Sequence, residues 1–133
     1  MNYKKFPPSL LFFILIIATL HALATYFSWY WSIWWFDILM HFLGGAWIGL
    51  VSIWFFFFSN RVEHTLKNKK NIILTAVISV SLIGLLWEVF EFSLSKLIVF
   101  NELNSIIDTA TDLFVDILGA FSASIHFLFK NKE

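Results

Sequence analysis

The chain has 133 residues, of which 59% are apolar, 20% aromatic and only 14% charged, and its formal net charge is zero. A soluble domain carries about 25% charged residues, so this chain has too little polar surface to cover a core in water. We therefore predict one integral membrane domain over residues 1–133. The zero net charge argues against nucleic acid as a partner, and the lack of cysteine excludes disulfides and thiolate metal sites.

Four apolar segments are long enough to cross a membrane, since a helix needs roughly 20 residues to span about 30 Å of hydrocarbon. They run approximately over residues 10–28, 36–58, 72–94 and 108–129. The sequence thus predicts an all-α, polytopic bundle of four transmembrane helices. Between the first two segments, the stretch WYWSIWW at 29–35 has neither glycine nor proline. We interpret it as an interfacial aromatic belt around a tight hairpin.

The basic residues predict the orientation, because lysine and arginine are retained on the cytoplasmic side of a membrane. Only Lys96 falls between the third and fourth segments. The other basic residues all fall on the opposite side: Lys4, Lys5, Arg61, Lys67, Lys69, Lys70, Lys130 and Lys132. This bias predicts that both termini are cytoplasmic.

A cleaved signal peptide is an alternative interpretation of the first segment. LHALA at 20–24 offers an A-x-A-like site at Ala22 and Ala24, after an apolar run that follows two lysines. The apolar run would fit a signal peptide, but many first transmembrane helices share these features. We favour a retained first helix.

Acidic residues recur at helical spacing in three of the four segments. Residues three or four positions apart share a helix face, so each of these helices carries one ionisable stripe. By the predicted topology all three stripes lie in the outer half of the membrane, which predicts a single site. Its candidate metal ligands are Asp37, His41, Glu88, Glu91, Asp108, Asp112 and Asp116.

Structural roles explain part of this pattern. Asp108 fits a helix cap, and the other acids fit interhelical hydrogen bonds. Capping does not reach Asp116, two turns into the helix, and a carboxylate deep in lipid costs about 2.5–3.5 kcal/mol. Carboxylates without a basic neighbour are neutralised by protons or by a cation. This oxygen-rich set suits Mg²⁺, Mn²⁺ or Ca²⁺, and His41 adds Zn²⁺.

Other polar and small residues carry weaker signals. His21 is as consistent with a bond between helices as with membership of the site, and His126 is expected at the interface. The tract WFFFFS at 54–59 reads as a lipid-facing anchor. Close helix packing is predicted at the glycines: Gly44, Gly45, Gly49, Gly84 and Gly119.

The ordered segments FDILMHFLGG, GLLWEVFEF and DTATDLFVDILGA are similar to the VanZ-like superfamily of small bacterial and archaeal membrane proteins, and within it to the YjdF-like branch. The resemblance covers roughly residues 36–122. Matching positions are Asp37, His41, Phe42, Glu88, Glu91, Asp108, Asp112 and Gly119. The resemblance implies a multi-pass protein of a prokaryotic cytoplasmic membrane and supports the same acidic site, but it supplies no reaction.

Two classes of function fit these residues. In the first, a divalent cation in an outer-leaflet site activates water or polarises a phosphoryl or carbonyl group of a lipid-linked or envelope substrate. In the second, the protein is a non-enzymatic binding or transport protein, and the carboxylates handle a cation or protons. In both, membrane lipids surround the protein.

Overall fold

The computed structural model describes residues 5–59, 68–98 and 106–130, with the side chains of residues 95–98 excepted. The described residues are helical apart from short turns. Several basic residues that support the predicted orientation lie outside this described part: Lys4, Arg61, Lys67, Lys132 and the side chain of Lys96.

Five α-helices follow one another in the described part of the chain. They are α1 (Pro8–Tyr26), α2 (Trp29–Ser32), α3 (Phe36–Ile53), α4 (Lys69–Ile98) and α5 (Ile106–Lys130), and a π-helical turn (Trp54–Phe58) extends α3. Among the residues that the structure describes, four stretches are long and apolar enough to cross a membrane: Pro8–Tyr26, Phe36–Phe58, Lys69–Leu94 and Ile106–Lys130. The predicted all-α class with four candidate transmembrane helices is confirmed.

The connection between α1 and α3 contains a short helix, where the sequence predicts a tight hairpin. Ser28 reverses the chain with φ 57° and ψ 33°, a left-handed conformation that few residues other than glycine adopt. The four residues of α2 follow. The side chains of Trp31 and Trp34 are 82% and 84% exposed, so they project outward as an interfacial belt requires.

Helices α3 and α5 run parallel, with their backbones in direct contact through glycine. A Cβ on Gly45 would collide with the backbone oxygen of Asp116, and a Cβ on Gly49 would lie 3.0 Å from the Cα of Ala120. Gly119 faces the backbone of α3 in the same way. Gly44 was predicted to share this packing role, but a Cβ there would meet nothing within 4 Å. Gly45 and Gly49, which form a GxxxG pair, therefore make the interface, and Gly44 lies outside it.

Helix α1 packs antiparallel against α3. The indole Nε1 of Trp47 donates to the carbonyl of Leu10 at 2.8 Å, and that of Trp54 donates to the carbonyl of Lys5 at 3.2 Å. The start of α1 thus lies beside the end of α3. Since α3 runs parallel to α5, the amino end of α1 and the carboxyl end of α5 lie at the same end of the bundle. Helix α4 runs opposite to α5, because its Gly84 faces Asp116 whereas Ile72 and Ala76 share a core with Ala120.

The apolar core lies toward that shared end. It contains Ile53, Phe57, Ile72, Ala76, Val80 and Ala120. Phe57 is only 4% exposed, whereas Phe55 and Phe56 are 37% and 40% exposed. The predicted lipid-facing anchor is therefore wrong for Phe57, and Phe58 also packs against the core, because consecutive residues of a helix point in different directions.

Candidate functional site

At the other end of the bundle, His41 of α3 lies among three aspartates. Its Nε2 is 4.0 Å from Oδ1 of Asp37 and 3.8 Å from Oδ2 of Asp112. Its Nδ1 is 3.4 Å from Oδ1 of Asp116. The two ring nitrogens therefore face different carboxylates. The side chains of His41, Asp112 and Asp116 are only 11%, 7% and 9% exposed.

Helix geometry explains why these residues meet. Asp37 lies one turn before His41 on the same face of α3, and Asp112 and Asp116 are one turn apart on α5. The close, parallel approach of α3 and α5 through Gly45 brings the α5 stripe against His41. The GxxxG pair thus positions the site as well as the helices.

Helix α4 contributes two glutamates from its own stripe. Glu88 and Glu91 each place a carboxylate oxygen within 4.8 Å of the other and of a ring nitrogen of His41. Glu88 is 6% exposed, and its buried Oε1 has no hydrogen-bond partner among the described residues. Buried polar atoms are almost always hydrogen-bonded, so this oxygen requires a proton, an ion or a water molecule.

Gly84 contacts the site directly, where the sequence predicts only helix packing. A Cβ at this position would lie 2.7 Å from Oδ2 of Asp116 and 3.1 Å from Cδ2 of Leu113. The missing side chain on α4 therefore makes room for the Asp116 carboxylate on α5. One oxygen of that carboxylate faces Gly84 and the other faces Nδ1 of His41.

The predicted site residues are not all equivalent in the structure. One potential metal-binding group combines Asp37, His41 and Asp112, and a second combines His41, Glu88 and Glu91. Asp116 contacts the same imidazole from its other nitrogen. Asp108 is exposed in the first turn of α5 and belongs to neither of these groups among the described residues.

Tyr30 is a neighbour of the site that the sequence assigns only to the aromatic belt. Its hydroxyl lies 2.7 Å from Nδ1 of His21, and its ring packs edge-on against Phe36 with centroids 5.3 Å apart. Burial first, and then the negative charges of Asp37 and Glu91, raise the pKa of Tyr30 to about 12. The contact with Phe36, which precedes Asp37, places Tyr30 beside the first turn of α3, and no regular spacing links it to the carboxylates in the sequence.

The two described histidines outside the cluster differ in their surroundings. His21 pairs with Tyr30, so it joins α1 to the short helix α2. His126 is exposed on α5, ten residues beyond Asp116, or about 15 Å at the rise of a helix. His126 therefore lies toward the opposite end of the bundle from His41.

The family comparison agrees with the membrane-spanning fold. Residues 2–133 match the family described as "Predicted membrane protein (DUF2238)". The chain belongs to this family. Neither the curated proteins nor the solved structures contain a match. The family description names a membrane protein and no activity, and it does not confirm the VanZ-like or YjdF-like assignment.

Proposed function

We propose that this protein binds a divalent cation between α3, α4 and α5, and that the ion serves hydrolysis or group transfer on a lipid-linked or envelope substrate. The observation that carries the proposal is the unpartnered Oε1 of Glu88, buried beside an imidazole that already contacts three aspartates. A carboxylate oxygen in this position is able to coordinate a divalent cation.

The charge of the cluster supports a cation. Five carboxylates converge on His41: Asp37, Glu88, Glu91, Asp112 and Asp116. The lysines whose side chains are described lie at the opposite end of the bundle: Lys5, Lys69, Lys70 and Lys130. Among the described residues, therefore, the cluster has no lysine or arginine to balance its charge, and a bound divalent ion would do so.

The orientation of His41 supports a metal ligand. A ligating histidine commonly donates its second ring N–H to a carboxylate, which fixes the tautomer and the plane of the ring. Asp116 lies at Nδ1 in the position of that carboxylate. Nε2 then faces Asp37 and Asp112 with its lone pair. One imidazole among carboxylates suits Mg²⁺, Mn²⁺, Ca²⁺ or Zn²⁺.

The distribution of charge supports an outer-leaflet site. The positive-inside rule assigns the lysine-bearing end of the bundle, with both termini, to the cytoplasm. The cluster at the other end then lies in the outer half of the bilayer, where a lipid-linked substrate reaches it from the leaflet. The VanZ-like and YjdF-like resemblance agrees with such a protein of a prokaryotic cytoplasmic membrane.

The chemistry proposed for the site needs only a bound ion and these carboxylates. A divalent ion polarises a phosphoryl or carbonyl oxygen and lowers the pKa of bound water. In hydrolysis, the water oxygen bonds to the phosphorus or carbonyl carbon, and the bond to the leaving oxygen breaks. The proton released by the water passes by way of a cluster carboxylate to that leaving oxygen.

Cation or proton handling without catalysis is the second candidate, because the carboxylates gathered around His41 can bind protons as well as a cation. A path through the membrane would continue beyond the cluster. In the described part of the other half, the bundle interior is apolar, and the hydroxyls of Ser52 and Ser124 bond to carbonyls of their own helices. This arrangement favours a site that opens to one side only.

Thermal unfolding in detergent tests the cation. Wild type should melt higher with Mn²⁺ than with chelator, because a ligand that binds only the folded state stabilises it. Asp112→Asn should melt higher than wild type in chelator, because it relieves repulsion between carboxylates, but its further rise with Mn²⁺ should be smaller than that of wild type. His126→Gln is the control and should retain that rise. A folded wild type that is indifferent to Mn²⁺, Mg²⁺ and Zn²⁺ would refute the proposal.

Reconstitution tests the chemistry. Wild type in vesicles made from bacterial envelope lipids should release a water-soluble product when Mn²⁺ is present, and Asp112→Asn should not. A protein that binds the cation but releases no product would support the second candidate.

A further inference from the structure

The cluster offers two groups of ligands where one ion needs only one. The group of Asp37, His41 and Asp112 comes from α3 and α5, and the pair of Glu88 and Glu91 comes from α4. In each group the ligand atoms lie within 4.8 Å of one another. Because His41 belongs to both, the two groups are neighbours around one imidazole.

His41 itself serves only one ion in this arrangement. Its Nδ1 faces Asp116 at 3.4 Å, so Nε2, between Asp37 and Asp112, is the nitrogen that faces a cation. Glu88 and Glu91 are then left as a carboxylate pair beside that ion. Oε1 of Glu88, buried in a residue only 6% exposed, has no partner among the described residues.

Charge balance gives an independent argument. If the five carboxylates around a neutral His41 are all ionised, one divalent ion leaves three negative charges in the cluster, whereas two ions leave one. Each uncompensated charge in this environment is costly. A second ion would thus remove most of the free-energy cost of the negative charges that one ion leaves uncompensated.

We propose that the cluster holds two divalent cations, one at Asp37, His41 and Asp112 and one at Glu88 and Glu91. The inference rests on the proposed function and specifies it further. Paired ions in proteins lie about 3.5–4 Å apart. The two groups are neighbours around one imidazole, and in each group the ligand atoms lie within 4.8 Å of one another.

A pair of ions also narrows the substrate class. Two-metal sites clamp the attacking and leaving oxygens of an in-line displacement, as in phosphatases and nucleases. In the described part of the chain, the cluster has no lysine or arginine to hold a phosphate, so the ions themselves would bind it. The substrate class that fits a pair of ions is a phosphate ester of a lipid, whose negatively charged oxygens the ions would bind.

Counting Mn²⁺ ions tests the pair directly. Chelator-treated wild type, titrated with Mn²⁺ in detergent, should bind two ions per chain. At full loading, electron paramagnetic resonance should show exchange coupling between neighbouring ions. A single equivalent would overturn the two-ion inference and leave the proposed cation function intact, whereas a folded protein that binds no Mn²⁺ would overturn both.

Variants on opposite sides of His41 test the assignment. Glu91→Gln should keep one uncoupled ion at the Asp37 group, and Asp37→Asn should keep one at the glutamate pair. His126→Gln should keep two coupled ions. Retention of two coupled ions by either cluster variant would contradict the assignment of that group. Because the wild-type stoichiometry is decisive by itself, failure of a variant to fold leaves the test valid.

Phosphate binding tests the substrate class in the Mn²⁺-loaded wild type. Phosphatidic acid in lipid nanodiscs should change the exchange coupling, because its headgroup reaches the ions from the leaflet. Inorganic phosphate added to phosphatidylcholine nanodiscs should have a much weaker effect. If inorganic phosphate changed the exchange coupling as much as phosphatidic acid or more, the proposal that the phosphate comes from a lipid would be contradicted. If neither compound changed the coupling, the proposal of a phosphate ester as substrate would be contradicted.

Discussion

The two ring nitrogens of His41 give different roles to two aspartates that look alike in the sequence. Asp112 lies 3.8 Å from Nε2, and Asp116 lies 3.4 Å from Nδ1. Helical spacing predicts that both reach one site, but it does not predict which nitrogen each one faces. That difference depends on the rotation of α5 against α3, which the glycine contacts determine.

We expect Asp116→Asn to weaken cation binding without removing an ion. The amide can still accept the N–H of Nδ1, but it lacks the charge that makes the imidazole a stronger ligand, and such changes cost about 10–100-fold in metal affinity. Mn²⁺ titration measures the affinity and the number of ions, and ¹⁵N chemical shifts of His41 report its tautomer. Complete loss of an ion from a folded Asp116→Asn protein would instead indicate that Asp116 coordinates that ion directly.

Gly84→Ala should affect the site more than the fold. The new Cβ would lie 2.7 Å from Oδ2 of Asp116, so the carboxylate must turn away from its place beside His41. We expect weaker Mn²⁺ binding and little change in melting temperature, since only the end of a side chain must move. Gly44→Ala, with nothing within 4 Å of the added Cβ, is the matched control. Unchanged Mn²⁺ affinity in Gly84→Ala would count against the role of Asp116.

Tyr30 provides a report of the charge at the edge of the cluster. Because burial and the charges of Asp37 and Glu91 raise its pKa to about 12, Asp37→Asn should lower that pKa, and so should a bound cation. The difference in absorbance titration between wild type and Tyr30→Phe isolates this phenol from Tyr3 and Tyr26. A phenol pKa indifferent to both changes would place Tyr30 outside the field of the cluster.

The same shift has a consequence for stability. Neutral Tyr30 is favoured in the folded state, so its contribution is fully present below the ordinary tyrosine pKa of about 10. This contribution is lost as the pH rises from there through about 12. Tyr30→Phe should therefore remove part of the alkaline loss of stability.

At the scale of the helices, the contact between α3 and α5 determines whether a site exists. Gly45→Ala should destabilise the protein, because its Cβ would collide with the backbone of Asp116 and the helices would have to separate; overpacking typically costs about 1–3 kcal/mol. Gly44→Ala should be neutral or stabilising, because alanine favours helix more than glycine does. Unfolding in mixed detergents compares the two variants. Equal effects of these adjacent substitutions would contradict the observed interface.

The sequence predicted the helices and the acidic stripes because both depend on local regularities: the length of apolar runs and the period of a helix. It did not predict the short helix α2 or the burial of Phe57, because these depend on how neighbouring elements pack. The aromatic composition of WYWSIWW identified an interfacial segment, but the reversal depends on the unusual φ of Ser28. Gly44 and Gly45 show the same limit, since only contact with α5 distinguishes them.

At the scale of the whole molecule, the two ends of the bundle differ in charge. One end carries the acidic cluster around His41, and the other carries the described lysines at the start of α4 and the end of α5. This polarity agrees with insertion in one orientation, since basic residues resist transfer across the membrane. The orientation would also decide which leaflet supplies the proposed substrate.

The chain has no native cysteine, so single cysteines report the orientation without a background signal. In intact cells, Asn101→Cys should react with a membrane-impermeant maleimide, because we expect the segment between α4 and α5 to be external. Lys67→Cys and Glu133→Cys should react only after the membrane is opened, because the positive-inside rule keeps their segments in the cytoplasm. Reaction of Glu133→Cys in intact cells would show that the bundle has the opposite orientation. The acidic cluster would then face the cytoplasmic leaflet, and the proposed substrate would have to come from that side.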